Sequence, residues 1–301
     1  MITEDAGTRA PAPTAPVAVA PPGPRSRKPR RGWDEVPRWQ IYVPLSVYLL
    51  FTLIPFYWIL LFALRPAGST SLVPWPLTLE HFDKVWTERS FGTYFQNSVL
   101  IGVATLVMTT VIALAGGYAL ARFDFRVKRG FMLGLLCSQF VPGALLLVPL
   151  FQIFAKLQMI NSLASVIIAE TVFQLPLSMI LISGFIKNVP YSLEEAAWVD
   201  GCNRFNAFRI VVLPLLRPGL IAVGSFAFVH AWNHFLFALM FLSNQDQQTL
   251  PVGLNTLMSS DSVDLGALAA GGIIAAVPVV VVFAFIQKWL ITGFSAGAVK
   301  G

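Results

Sequence analysis

The sequence predicts an all-α, polytopic membrane protein with six transmembrane helices and both ends of the chain on the cytoplasmic side. Three observations carry this. Of the 301 residues, 56% are hydrophobic and only 12% are charged, about half the charged share of a soluble domain. Six apolar runs lie at residues 41–64, 97–121, 131–154, 163–186, 219–242 and 266–286. Each is near the length of about 20 residues that a helix needs to cross a bilayer core. Runs of this length exclude barrel strands of about 10 residues, and in lipid helices alone then satisfy the backbone. The third observation is the placement of the basic residues. Seventeen of the 21 Lys and Arg fall in 9–38, 122–129, 187–217 and 288–300; only Arg65, Lys84, Arg89 and Lys156 fall on the other side. Basic residues collect on the cytoplasmic side, which sets N-in, C-in. The net charge of +6 is then a topology signal and not a sign of nucleic-acid binding.

Taken in order, residues 1–38 are Pro- and Ala-rich and then basic (RSRKPRR), the composition of a disordered cytoplasmic tail. The tail orients the chain, and its basic run suits anionic lipid heads. The first apolar run begins too late for a cleaved signal peptide and is expected to stay. Between the first two runs, LTLEHFDKVW places Leu79, Phe82, Val85 and Trp86 at helical spacing, as in a short interfacial helix. Ala113 and Gly117 are four apart, as are Ala267, Gly271 and Ala275, a spacing that lets membrane helices pack closely. Pro142, Pro149, Pro176 and Pro278 are expected to kink their helices. Cys137 falls in a span and Cys202 in a polar loop, so no disulfide is expected between them. Residues 243–265 carry three acids and no bases; they suit contact with a polar ligand or outer partner, or a solvated connector.

The polar stretch 190–214, PYSLEEAAWVDGCNRFNAFRIVVLP, stands between two apolar runs. Pro190 stops the preceding helix. Ser192 and Glu195 have the spacing of a capping box, and Glu194 and Glu195 suit the first-turn dipole. Gly201 is placed to end that helix left-handed. Asn203 is placed to cap a second helix, on which Phe205, Phe208 and Val212 share an apolar face before Pro214 closes it. The expected product is two short helices joined at a glycine turn. The paired alanines Ala196 and Ala197 make a low surface for a soluble partner.

Other chemistry finds less support. His230 and His234 share a helix face, but His-Ala-Trp-Asn-His lacks the Glu of a zinc-protease motif, and no acid near them in sequence completes a metal site. No catalytic or metal residue is expected. Glu170 is the one acid clearly inside a span, thin support for a secondary transporter. No G-x-x-x-x-G-K-[ST] phosphate loop is present, so any ATP-derived energy comes from another chain.

The residues Glu195-Ala196-Ala197, Asp200-Gly201 and Val211-Val212-Leu213-Pro214 resemble the EAA loop of ABC importer permeases. NSVLIG, AWNHFLFAL, TLPVGL and GFSAGAVKG, in that order along the spans, resemble the MalG-type branch for di- and oligosaccharides. The likeness covers residues 39–301 as one permease domain, with the loop at 187–217. It implies an ABC importer permease (MalG-like) fold in the bacterial plasma membrane. It implies as partners a second, MalF-like permease, a MalK-like ATPase dimer that holds the ATP and Mg, and an extracytoplasmic sugar-binding lipoprotein. No cofactor is expected on this chain itself. Glu194, Glu195, Ala196, Ala197, Asp200, Gly201, Leu213 and Pro214 would then dock the ATPase, with Glu195 in its cleft. The segment 295–301 would reach between the ATPase subunits, and the loop 243–264 would approach the binding protein. Phe226, Trp232, Asn233 and Glu170 are the candidates for the substrate path. Glycerol phosphate or a polyol is the alternative cargo, and an autonomous secondary transporter the rival class.

Overall fold

The computed structural model describes residues 37–259 and 263–298, with side chains as far as Lys288. The basic tail and the segment 299–301 lie outside the described residues, and so do the side chains of the proposed C-terminal contact. Contacts divide the chain into two units, 1–53 and 54–301. The first holds the start of helix α1 (Arg38–Leu64). Every regular element among the described residues is a helix.

The elements follow as α2 (Glu80–Asp83), continued by a π turn over Lys84–Glu88, α3 (Phe91–Arg122), α4 (Lys128–Ser138), α5 (Gly143–Lys156) and α6 (Leu163–Lys187). Then come α7 (Ser192–Val199), α8 (Arg204–Ala207), a π turn over Phe208–Val212, α9 (Leu213–Leu215), α10 (Arg217–Asn233), α11 (Leu236–Phe241), α12 (Leu250–Met258) and α13 (Leu265–Ala298). The helices α1, α3, α6 and α13 are each long and apolar enough to cross a membrane, and six crossings result if each of two bent pairs counts as one.

Those bent pairs modify two of the expected runs. The run 131–154 is broken between α4 and α5, whose axes differ by 100°. Pro142 sits at the break in an extended conformation (φ −62°, ψ 127°) and has no N–H to continue the ladder. The run 219–242 is interrupted where α10 stops at Asn233 and His234 turns extended (φ −75°, ψ 120°). A 74° bend also separates the Arg204–Leu215 segment from α10, with Pro218 at the first turn of the new helix. The remaining prolines, Pro149, Pro176 and Pro278, lie inside continuous helices.

The core is built on α3 and α6, the most extensive helix pair. Small residues decide how near they come. Ala113 is fully buried, and a Cβ on Gly117 would stand 2.7 Å from Ile182 Cγ2 and 3.1 Å from the Ser183 backbone nitrogen. At that range the branched Ile182 side chain must shift and the Ser183 backbone give slightly, so the position favours glycine. Around the pair, α10 and α13 close a second apolar cluster of Phe91, Tyr94, Phe228, Trp232 and Leu250.

Two segments between the long helices depart from expectation. Of the four apolar residues expected on one face near 79–86, Val85 is buried and Phe82 packs on the same cluster, whereas Leu79 and Trp86 are exposed; Leu79 stands before the helix as its N-cap, and Trp86 lies in the π turn, which changes the pitch. The stretch 243–265 is no simple connector, since it holds α12, with Leu250, Val252, Gly253 and Leu257 buried. Gly253 lies against the Tyr94 ring, where a Cβ would come within 2.5 Å. These segments are also tied by charge: Lys84 Nζ donates to Asp264 Oδ2 at 2.8 Å, and His81 Nδ1 is 3.9 Å from Asp264 Oδ1.

Partial burial raises the Asp264 carboxyl, but the Lys84 hydrogen bond, the Ala267 amide and the nearby positive charge outweigh it and hold it below the usual range. The same hydrogen bond and charge raise Lys84. A depressed acid stabilises above its unfolded pKa and a raised base below its own, so this tie holds from about pH 4 to about pH 10. Asp264→Asn is expected to lower thermal stability slightly at pH 7 and to make no difference once pH falls below the folded Asp264 pKa, checked by melting curves across pH. Gly117→Ala is expected to cost about 1–3 kcal/mol. Gly184→Ala, where nothing lies within 4 Å of the added Cβ, is expected to leave the same melting temperature unchanged or slightly raised.

Candidate functional site

The polar stretch folds as two short helices around a glycine turn. The first helix ends in a full Schellman motif: Gly201 N donates to Trp198 O at 3.0 Å and Cys202 N to Ala197 O at 2.9 Å. Gly201 takes φ +87°, which an L side chain rarely adopts. Asn203 then caps α8, its Oδ1 accepting from Asn206 N at 2.8 Å. The expected capping box is not formed. The chain already turns helically at Tyr191 (φ −63°, ψ −30°) with no side-chain cap. The Glu194 and Glu195 amides donate instead to the Tyr191 carbonyl at 2.9 and 3.2 Å, which leaves Ser192 inside the first turn.

The two neighbouring glutamates have opposite fates. Glu194 is fully buried, and Arg122, the last residue of α3, donates from Nε to its Oε1 at 2.6 Å. Tyr118, one turn back, donates its hydroxyl to Oε2 at 2.7 Å. Arg122 also donates from Nη2 to the Val189 carbonyl at 2.9 Å, and its guanidinium lies 5.4 Å from the Tyr191 ring centre. Three separate points of the hairpin thus converge on one arginine. Below them Val212 and Leu216 enter a core with Ala113, Ile182, Ile186 and Val223, so the second half of the hairpin is held by the same α3–α6 pair.

About 100° further round the helix, Glu195 is exposed, and Ala196, Val199 and Asp200 are exposed with it. Ala197, expected on the low outer surface with Ala196, is instead buried against this chain. Leu213 is half-buried and Pro214 exposed. Phe205 also departs from expectation. It is 70% exposed, while Val212 is fully buried, because the π turn at Phe208–Val212 breaks the helical phase between them. Phe205 instead lines an open groove of about 470 Å³ with Tyr118, Trp198, Arg204 and Phe208.

The substrate-path candidates separate in the same way. Trp232 is buried, stacks on Phe228 at 5.7 Å and donates Nε1 to the Ala275 carbonyl at 3.0 Å; it ties α10 to α13. Phe226 and Asn233 are exposed on α10. Glu170 is fully buried in α6. The fold brings to the histidines an acid that is distant in sequence. Glu170 Oε2 is 3.0 Å from His230 Nδ1, and its Oε1 is 2.7 Å from His234 Nδ1. The partners are 60 and 64 positions away, beyond any local motif. Among the described residues no group of three or more His, Cys, Asp or Glu converges to hold a metal.

Removing one partner of a buried ion pair strands the other charge and costs about 3–5 kcal/mol, whereas replacing both with apolar residues is often nearly neutral. Glu194→Gln is therefore expected to lower the melting temperature of the purified protein markedly, and the double variant Arg122→Met/Glu194→Leu to recover most of the loss.

The residues 112–295 match the family described as the binding-protein-dependent transport system inner membrane component. The chain is 36% identical over 264 residues to the diacetylchitobiose uptake system permease protein DasC of Streptomyces coelicolor, covering 86% of this chain and 95% of that one. It is 32% identical to the arabinooligosaccharides transport system permease protein AraQ of Halalkalibacterium halodurans, covering 90% of this chain and 100% of that one. The fold resembles a subunit of a bacterial ABC transporter involved in the import of the acidic polysaccharide alginate, with a TM-score of 0.70 at 20% identity over 84% of this chain and 98% of that one. With residues 112–295 matched and the relatives covered almost end to end, the chain belongs to the binding-protein-dependent transport system inner membrane component family, as a permease of an ABC transporter.

Proposed function

We propose that this chain is a translocating permease subunit of an importer that carries a di- or oligosaccharide, delivered by an extracytoplasmic binding protein, across a bacterial plasma membrane. It crosses the membrane six times, with each bent helix pair serving as one crossing and both ends inside, as the basic residues at 122–129 and 187–217 favour. Residues 1–38 form a basic orienting tail ahead of the permease domain at 39–301. A second permease subunit completes the path, and a separate ATPase dimer supplies the energy and holds the ATP and Mg.

The observation that carries this reading is the division of labour at Glu194 and Glu195. The hairpin is bound tightly to its own chain on one face. It presents an acid, an alanine and the nearly bare Val199 side chain, 88% exposed, on the other. An exposed apolar and acidic edge on a rigid mount suits a partner protein. Glu195 enters the ATPase, Ala196 allows close approach, and Gly201 sets the angle of the hairpin. The two named relatives supply the cargo class, since both carry oligosaccharides by name.

Affinity purification from the native membrane is expected to bring down an ATPase, a second permease and a binding lipoprotein. Screening that lipoprotein against sugars names the cargo. Recovery of this chain alone, with uptake activity of its own, would sink the importer reading. Glu195→Lys is expected to abolish sugar-stimulated ATP hydrolysis while leaving the melting temperature of the permease within about 2 °C, because an exposed substitution away from caps and ion pairs costs little. Wild-type uptake in that variant would remove the hairpin from energy transfer.

A further inference from the structure

The trio of Glu170, His230 and His234 is unused by the hairpin, and its carboxylate is fully buried. Glu170 lies seven residues into α6, about 10 Å along the helix. A carboxylate with no exposed surface needs charge neutralisation in that setting. Two imidazoles lie against it. They stack on each other with centroids 5.2 Å apart, and His234 is covered by the Phe237 ring of α11 at 4.5 Å. The ionisable groups facing Glu170 are His230 on α10 and His234 just past its end. The His230 contact is a hydrogen bond; the His234 contact is an ion-pair approach with angles outside hydrogen-bond geometry.

The His230 ring uses Nδ1 on the carboxylate, which leaves its Nε2 edge for another partner. For His230 that edge is within reach, because its side chain is 44% exposed. Four residues before it Phe226 is exposed, and three residues after it Asn233 is exposed. Positions 226, 230 and 233 fall on one helix face, which stays exposed among the described residues. The exposed face of α13, by contrast, is apolar at Val277, Val280, Val281 and Phe283, as a lipid-facing surface is. Directly beyond Asn233 the helix breaks. Non-helical backbone in a membrane protein is tolerated where it is buried in protein or lines a water-filled cavity, and broken helices are where transporters bind cargo.

We propose that His230 contacts the hydroxyl groups of the carried sugar on this open face of α10, with Phe226 as an apolar platform for the ring, Asn233 as a second polar contact, and Glu170 and His234 as positioning residues. The inference rests on the sugar-importer reading. A polyhydroxyl ligand suits the site, since an imidazole and an amide that can hydrogen-bond hydroxyl groups stand beside an aromatic ring on one exposed face.

The test uses the assembled transporter with Cys137 and Cys202 changed to Ser. Cysteines introduced singly at Phe226, His230, Asn233 and Val277 are treated with a membrane-impermeant thiol reagent. The first three are expected to react at least tenfold faster than Val277→Cys, and saturating sugar (diacetylchitobiose, trehalose or arabinotriose, whichever the wild-type transporter takes up) is expected to slow them. In uptake assays, His230→Leu is expected to raise KM about tenfold with little change in kcat and an unchanged yield of complex. His230→Gln, which keeps one polar edge, is expected to recover part of the loss, and Glu170→Gln is expected to shift the pH profile of uptake. Cysteines at 226, 230 and 233 as unreactive as the one at 277, or wild-type KM in His230→Leu, would overturn the proposal. Sugar uptake by the wild-type complex in that same assay would leave the importer reading standing, and its absence for every sugar would count against that reading instead.

Discussion

One buried ion pair holds the two ends of the functional architecture together. Arg122 closes α3, the helix that packs against α6 along most of its length, and Glu194 opens the hairpin that follows α6. Neither group reaches bulk water in the folded chain; the arginine side chain is 8% exposed and the glutamate 1%. Such a pair is favourable only when geometry is good and the remaining donors are satisfied. Both conditions are met, because Tyr118 takes the second carboxylate oxygen and the Val189 carbonyl takes a second guanidinium nitrogen. The apolar core of Val212, Leu216, Ile182 and Ile186 lies beneath. It supplies burial but no direction, and the ion pair supplies the direction.

The importance of that direction follows from what the hairpin is proposed to do. A soluble partner that moves Glu195 moves the membrane helices only if the hairpin is rigid relative to them. The Schellman turn at Gly201 and the Asn203 cap fix the internal angle of the hairpin. The Arg122 junction fixes the hairpin to α3. Glycine at 117 lets α3 lie close enough to α6 for displacement to pass from one helix to the other. The Lys84–Asp264 contact and the Trp232–Ala275 hydrogen bond tie the π turn after α2 to the start of α13, and α10 to α13.

What the sequence disclosed was the local chemistry. A glycine at a helix end, an asparagine before a helix and small residues four apart are each governed by neighbours within a turn, and Gly201, Asn203, Ala113 and Gly117 all lie as their spacing implies. What it hid was set at a distance. Two adjacent glutamates in one first turn are indistinguishable until the partner of one, 72 positions back, is in place. The histidines lacked an acid within their own motif and found one on another helix. Pro142 was legible as a kink, but hydropathy ran on through the break at His234, because an apolar window does not register an extended residue. The helix at Leu250–Met258 was masked by its own glycine, which serves close approach to Tyr94 and not a turn.

The most direct measurement of the central claim is hydrogen exchange, followed by mass spectrometry, of the assembled transporter bearing Glu194→Gln against wild type. The account predicts that amides in the segment 192–216 exchange about tenfold faster or more in the variant, while those of α6 between 163 and 180 keep wild-type protection, as expected for local release of one unit. Equal exchange of segment 192–216 in both proteins would contradict it, and would assign the hold on the hairpin to the apolar core alone.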